Sequence, residues 1–497
     1  VALLVWVLWL NACVSKMEKP IASVSGIQAE EAVFLEYKNE GDREFNKMFW
    51  QGWQNAIDCY ERALEIKNEP GLTGRLFEVY LLIAFRELYL QVPLANREQK
   101  LANLSNQIPG SEYGVFVKII GSLGMKKAFL IGGEYLGYYD PEVEKKPVAK
   151  RDDVDYRYYL YILWLGFSRQ YTLQSQAKQA FDERFPESNL FLSSAQDISL
   201  PLIDRKLGEY PDFAELFLAR GNLYKEKRKY LAAIRDYQSA FKIMPQLFRA
   251  YNEIAGIYVF IQDYRQAIGF YDRTLEVSAY EPVALFGKAV SLSHLGQIDE
   301  SNSLLRLLLE KQALNHGEAY YYLAKNHYNQ QKLAGALEYI DLARSYLPYS
   351  AEVNMLSGLV HLAKQDHDGA RADFLRVIDA EESSGDAHYH LGQIAWLRGE
   401  KEKAREYYRQ AVECFWQENQ GFDGKLTELN DTELSETDRD RAILKIKRLQ
   451  AIFLQDAMKK TAPVLRIWQH RQGISRLIDI QAKLKEKYRE TITVHLE

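Results

Sequence analysis

From Ala214 to about Glu418 the apolar positions repeat one pattern six times. The copies begin at Ala214, Phe248, Pro282, Gly317, Ala351 and Gly385, in steps of 34 residues with one step of 35. A fixed period of that size marks a repeat architecture. A small residue holds the eighth place of each copy: Gly221, Ala255, Ala289, Ala324, Gly358 and Gly392. Another follows twelve residues later: Ala233, Ala267, Ser301, Ala336, Ala370 and Ala404. One helical turn beyond comes a bulky residue: Tyr237, Tyr271, Leu305, Ile340, Phe374 and Tyr408. The four-residue step puts each small residue and its bulky partner on one helical face, and each copy predicts two short amphipathic helices. The small residues let two helix axes approach to roughly 8–10 Å.

Outside the array the pattern predicts more helix. Residues 31–213 read as a divergent helical region. Trp53, Ala56, Ile57, Tyr60, Ala63 and Leu64 have the spacing of a second repeat helix. Phe77 to Leu90 is apolar nearly all round, which predicts burial between neighbours. Residues 111–138 hold six glycines among apolar residues and read as packed helix pairs joined by turns; 139–152 read as an exposed loop. An aromatic-rich helix follows, then helices over Leu173–Phe185 and Leu200–Leu207, with Pro201 tolerable in a first turn. After Cys414 the pattern breaks into an acidic, turn-rich stretch, assigned as a loop over 419–437. Residues 438–497 read as basic C-terminal helices, with Ser435 and Asp438 placed as a capping box and Ile443, Ile446, Leu449 and Phe453 on one stripe. Segment 438–490 carries fourteen Lys/Arg against six Asp/Glu, a net of +8, so the rest of the chain carries −13 of the overall −5. As a cap this pair would cover the last apolar face of the array; a lid over a groove and a separate docking patch are the other roles open to it.

The array closely resembles the tetratricopeptide repeat family. The first copy carries Phe217, Gly221, Tyr224, Ala233, Tyr237, Ala240 and Pro245 at that family's spacings, and the sixth keeps Leu391, Gly392, Gly399, Ala404, Tyr408 and Ala411. The third departs, with Ser301 for the small Ala and no closing Pro. The resemblance implies an all-α fold: a right-handed α-solenoid of helix-turn-helix repeats over 214–418. It also implies that the first helix of each copy lines a concave groove. The groove positions are Leu218, Asn222, Asn252, Phe260, Phe286, His294, Tyr321, Lys325, Tyr328, Met355, Tyr389, Gln393 and Trp396, with Val259, Val290, Leu359 and Leu362 among them. The Lys/Asn set with which some members clamp a terminal carboxylate is missing; only Asn222 and Asn252 are of that type. Such a face suits a protein or peptide partner. The same groove could instead be filled by the chain's own C-terminal helices.

The first ten residues, VALLVWVLWL, are an uninterrupted apolar run, too short to span a bilayer as a helix and suited to the core of a secretory signal over 1–12. Leu10-Asn11-Ala12-Cys13 resembles a bacterial lipobox. That resemblance implies cleavage before Cys13, lipidation of its sulfur, and a tether over 13–30. It implies an address in the bacterial cell envelope, lipid-anchored, with Val14 favouring an outer-membrane site facing the periplasm. Two or three acyl chains give near-permanent attachment, where one alone is marginal.

Composition narrows the function without naming it. Net charge is small and the pI is near 6.1, so no nucleic-acid partner is indicated. Three cysteines, Cys13, Cys59 and Cys414, make neither a disulfide framework nor a metal-type spacing. There is no GxSxG, phosphate loop, HExxH or CxxC, so no catalytic residue and no cofactor is assigned. Histidines gather at His294, His327, His361, His367, His388 and His390. His327 and His361 hold the place where the first copies have Tyr224 and Tyr258, and read as packing residues rather than metal ligands. Glu338 and Glu406 fall on outward positions. The reading that fits is a non-enzymatic scaffold. A periplasmic accessory that holds a small hydrophobic ligand, or partners a transporter, is the alternative.

Overall fold

The computed structural model describes residues 26–90, 96–105, 171–184, 189–190, 198–311, 316–380 and 384–430, with isolated positions such as Tyr159, Ala442 and Ile446. Among these described residues lie eighteen α-helices and no strand. None of those helices is long and apolar enough to cross a membrane. Cys13, most of the tether, the glycine-rich stretch, the loop over 139–152, most of the aromatic helix and most of 431–497 lie outside the described residues. The chain divides into two units, Val1–Leu216 and Phe217–Glu497.

The first unit contains α1 (Gly26–Phe45), α2 (Trp50–Ile66), α3 (Pro70–Tyr89), α4 (Arg97–Ser105), α5 (Tyr171–Arg184) and α6 (Leu200–Glu209). Helix α1 starts at Gly26, inside the stretch read as tether. Helices α1 and α2 form a hairpin with the close contact of a repeat unit: a Cβ on Gly41 would stand 2.4 Å from the Tyr60 ring. Tyr60 then donates from its hydroxyl to Asp42 at 2.6 Å. In α3 every residue from Val79 to Glu87 is buried, as its all-round apolar pattern predicts. Two charges end that run, and both are answered. The Arg86 guanidinium pairs with Glu215 and donates to the Tyr159 hydroxyl at 3.2 Å and the Leu190 carbonyl at 2.7 Å. Glu87 accepts from Trp50 at 3.1 Å and pairs with Arg97. Burial pushes the Glu87 carboxyl up, against the pull of Arg97.

The array consists of six hairpins of an A and a B helix: α7 (Ala214–Glu226) with α8 (Tyr230–Ile243), α9 (Phe248–Phe260) with α10 (Tyr264–Val277), and α11 (Pro282–His294) with α12 (Ile298–Glu310). Then follow α13 (His316–Asn329) with α14 (Leu333–Tyr346), α15 (Ala351–Ala363) with α16 (His367–Ala380), and α17 (Gly385–Leu397) with α18 (Lys401–Asn430). From α8 onward each helix packs on the next in chain order, which is how a solenoid buries faces that no single hairpin can cover. Every A helix stops by one device. The fifteenth residue of the copy takes a left-handed backbone: Arg228, Gln262, Gly296, Gln331, Gln365 and Gly399 have φ between 58° and 77°. The following amide returns to the A helix, as Lys229 does to Tyr224 at 2.8 Å and Asp366 to His361 at 2.9 Å, satisfying a terminal carbonyl.

The eighth-place residues are small for a visible reason. A Cβ on Gly221 would lie 2.6 Å from Tyr237, on Gly358 2.5 Å from Phe374, and on Gly392 2.9 Å from Tyr408. Tyr271 differs: its ring reaches the next copy, where a Cβ on Gly287 would stand 2.3 Å away. Its own eighth place accordingly holds Ala255. Ser301, the off-pattern residue of the third copy, is buried and donates to the Ala289 carbonyl at 2.8 Å. It also accepts from Asn326, which donates to Asn302 at 2.8 Å and accepts from Ser293 at 2.6 Å. A polar network thus replaces an apolar contact between the third and fourth hairpins. A second one surrounds the buried carboxylate of Asp373, which takes bonds from Arg344 at 3.0 Å and from Arg376 and Ser357.

One boundary is corrected. The stretch expected to be a loop over 419–437 is helical through Asn430, because α18 continues without a break from Lys401. Gly421 and Gly424 look like turn signals, yet each costs a helix only ~1 kcal/mol against Ala, and no proline intervenes before Asn430.

Candidate functional site

From α9 to α15 the A helices form a continuous wall, for α9 touches α11, α11 touches α13, and α13 touches α15. All thirteen positions assigned to a groove keep some solvent exposure, and none is buried. Phe260 and Trp396 are 41% and 42% exposed, high for side chains of that size. Phe286, Tyr321, Tyr328, Met355 and Tyr389 are half-buried, one side resting on the hydrophobic core and the other open. The open sides are predominantly apolar.

The amide side chains of the wall, Asn222, Asn252 and Gln393, are held by internal bonds. Asn222 accepts from the Tyr237 hydroxyl at 2.9 Å. Asn252 accepts from Thr274 at 2.8 Å and donates to Glu281 at 3.0 Å. Glu281 also caps α11 by accepting from the Ala284 amide at 2.7 Å. Gln393 donates to the Tyr389 hydroxyl at 2.9 Å and bonds His390 at 2.9 Å, which fixes three neighbours of α17 as one unit.

The centre of the wall is aromatic. His294 stacks on Tyr264, ring centroids 4.6 Å apart and nearly parallel, and its edge meets Tyr322 at 6.5 Å. Phe286 meets the same Tyr322 ring edge-on at 5.8 Å, and Tyr321 does so at 5.3 Å. The Lys325 ammonium stands 5.5 Å from the Tyr322 ring centre. Burial lowers the Lys325 amine and pushes the Tyr321 phenol up to about 12. Tyr264 and Tyr322 were not among the expected groove residues. Tyr264 opens a B helix and Tyr322 sits one place after an expected lining position, so repeat register alone points to neither. Their aromatic type within a tyrosine-rich copy was the one available signal.

The other histidines serve local packing. His327 meets Tyr339 edge-on at 5.0 Å and fills the space over Gly335, where a Cβ would stand 2.5 Å from its ring nitrogen. His361 lies 2.8 Å from Asp366 and 3.7 Å from Asp373, over Gly369. His390 stacks on Phe374 at 5.0 Å, and His388 bonds the Ser384 carbonyl at 2.8 Å. Among the described residues no group of three His, Cys, Asp or Glu is placed to hold a metal ion.

Comparison with known proteins agrees with this architecture. A Tetratricopeptide repeat family model matches residues 355–419. The chain is 25% identical over 273 residues to Lipopolysaccharide assembly protein B of Escherichia coli (strain K12), covering 52% of this chain and 68% of that one. It is 22% identical over 206 residues to Mitochondrial import receptor subunit TOM70 of Homo sapiens, covering 40% of this chain and 34% of that one. Among solved structures, YrrB, described as a TPR protein with an unusual peptide-binding site, aligns with a TM-score of 0.31 at 20% identity, over 36% of this chain and 91% of that one. Six in-phase hairpins share one recurrent left-handed stop, and the tetratricopeptide repeat model matches within them, over residues 355–419.

Proposed function

We propose that this protein is a membrane-anchored, non-enzymatic scaffold of the bacterial cell envelope that binds another protein along the A-helix wall of its repeats. The observation that carries the reading is the wall itself: a row of half-buried aromatic and aliphatic side chains among which the amides Asn222, Asn252 and Gln393 are already occupied internally. Contiguous open apolar surface of this kind marks interaction sites, and aromatic anchors supply most of the affinity at such sites. Relatedness to a lipopolysaccharide assembly protein supports an envelope address. The apolar run that ends in Leu10-Asn11-Ala12-Cys13 supports acylation of Cys13, and Val14 after it supports a periplasm-facing, outer-membrane position.

Two measurements test the two halves. An acyl-chain probe fed to expressing cells should label the native protein and not Cys13→Ser, and the variant should leave the membrane fraction; absence of label on the native protein removes the anchor. Partners cross-linked in intact envelopes should be recovered with the native chain and lost with Phe286→Ala/Tyr328→Ala. Equal recovery with that folded variant places the binding surface elsewhere.

A further inference from the structure

At the fifth, ninth, twelfth and thirteenth places of copies two to six, twenty positions hold a single formal charge, Lys325. It is half-buried, and among the described residues no carboxylate forms an ion pair with it. Its described contact is the face of Tyr322. Lys288, on the A helix of the preceding copy, shows the ordinary outcome for a half-buried lysine here. It pairs with Asp272 at 2.8 Å and reaches Glu300 at 3.6 Å. Arg220 has Asp236 and Arg344 has Asp373. Lys325 is thus a desolvated cation whose acid is not supplied from the described part of the chain, and burying an unpaired charge is costly. The lowered Lys325 amine has burial as its cause, with no compensating acid.

From this geometry we propose that Lys325 is the acid-recognition point of the groove: it pairs with a single Asp or Glu side chain of a partner segment whose neighbouring residues are aromatic or aliphatic. The inference rests on the wall being the partner surface and adds the chemistry of what it takes. The ammonium stands over the Tyr322 ring, which Tyr321, Phe286 and His294 meet edge-on, so the flanking apolar groups would find rings beside the charge. In that setting a charge-assisted pair is stronger than on an open surface, and it fixes the register of the bound segment. A partner segment with two or more clustered acids would leave the extra charges against rings, and is disfavoured.

The test uses random twelve-residue peptides displayed on phage, selected against the full chain and against Lys325→Gln and Lys325→Glu, each checked for folding by circular dichroism. Lys325 has no ion pair to lose, so both variants should fold. Expected are peptides with one Asp or Glu at a fixed offset from aromatic or aliphatic residues, binding Lys325→Gln at least about tenfold more weakly. Lys325→Glu should instead enrich Lys or Arg at that offset. Selected peptides without a fixed acid, or binding Lys325→Gln equally well, overturn the inference and leave the groove reading standing. Failure to enrich any peptide sinks both. Binding of anionic phosphatidylglycerol vesicles that depends on Lys325, without peptide binding, would replace the acidic segment by a lipid headgroup and also overturn it.

Discussion

Tyr237 lies so close over Gly221 that a single added carbon at that glycine would stand 2.6 Å from its ring. The contact joins the A and B helices of the first hairpin and sets their distance. Gly221→Leu, or Ala233→Leu in the buried face beside it, should overpack this joint and cost ~1–3 kcal/mol. Glu338→Leu on the exposed face of α14 should change stability by less than ~0.5 kcal/mol. Thermal unfolding of the three variants checks this, and equal melting temperatures would mean that the packing register is different.

The left-handed stops predict gains as well as losses. Gln331 and Gln365 hold φ of 59° and 62°, a conformation that costs an L side chain about 1–2 kcal/mol. After the entropy that glycine loses on folding, Gln331→Gly and Gln365→Gly should each stabilise by about 0.5–1 kcal/mol. Gly296→Ala, at φ 77°, should destabilise by about 1 kcal/mol. Chemical denaturation with an unchanged slope would separate these backbone effects from changes in packing.

Much of this architecture was legible because helical spacing records which side chains meet. Gly221 with Tyr237 and Gly358 with Phe374 could be paired from the period alone, and the structure has them in contact. What stayed hidden was what departs from the period for a local reason. Ser301 looked like a lapse, since a buried hydroxyl makes sense only once Asn326, 25 residues along at 3.0 Å, is seen to need it. The recurrent positive-φ stop is written as glycine in two copies and as Gln or Arg in four, so residue type did not reveal it. Gly421 and Gly424 pointed to a loop where α18 continues, because the cost of two glycines is smaller than what an already formed helix absorbs. On the wall, register located Phe286, Tyr321 and Lys325, while Tyr264 and Tyr322 required the neighbouring helices.

The buried polar joint between the third and fourth hairpins should be sensitive to loss of its hub. Asn326→Leu strips Ser301 and Asn302 of their donor and Ser293 of its acceptor, leaving buried polar groups unpaired. The expected cost is about 2–4 kcal/mol. Ser301→Ala, although it restores the family's usual residue, should still cost about 1 kcal/mol through the lost bonds to Ala289 and Asn326. A Ser301→Ala variant more stable than the native chain would show that the network contributes nothing.

Alkaline pH should unfold the array through its tyrosines. Burial pushes Tyr271, Tyr321 and Tyr408 up to about 12, whereas in the unfolded chain they lose their protons near 10. Between those values the folded state retains protons that the unfolded state has released, so stability falls as pH rises. Below pH 10 this contribution is fully present. The melting temperature should therefore hold nearly constant up to that point and decline above it, together with delayed tyrosinate absorbance. A melting temperature that rises between pH 10 and 12 would contradict the burial of these phenols.

The partner-binding face is tested most directly by placing one photo-crosslinking residue at a time along the chain in living cells: at Phe286, Tyr328 or Trp396 on the A-helix wall, and at Glu338 or Glu406 on exposed B-helix positions. Our account predicts one discrete protein adduct from the wall positions, weakened by Lys325→Gln, and none from the two glutamates. Adducts from Glu338 and Glu406 with none from the wall would contradict it.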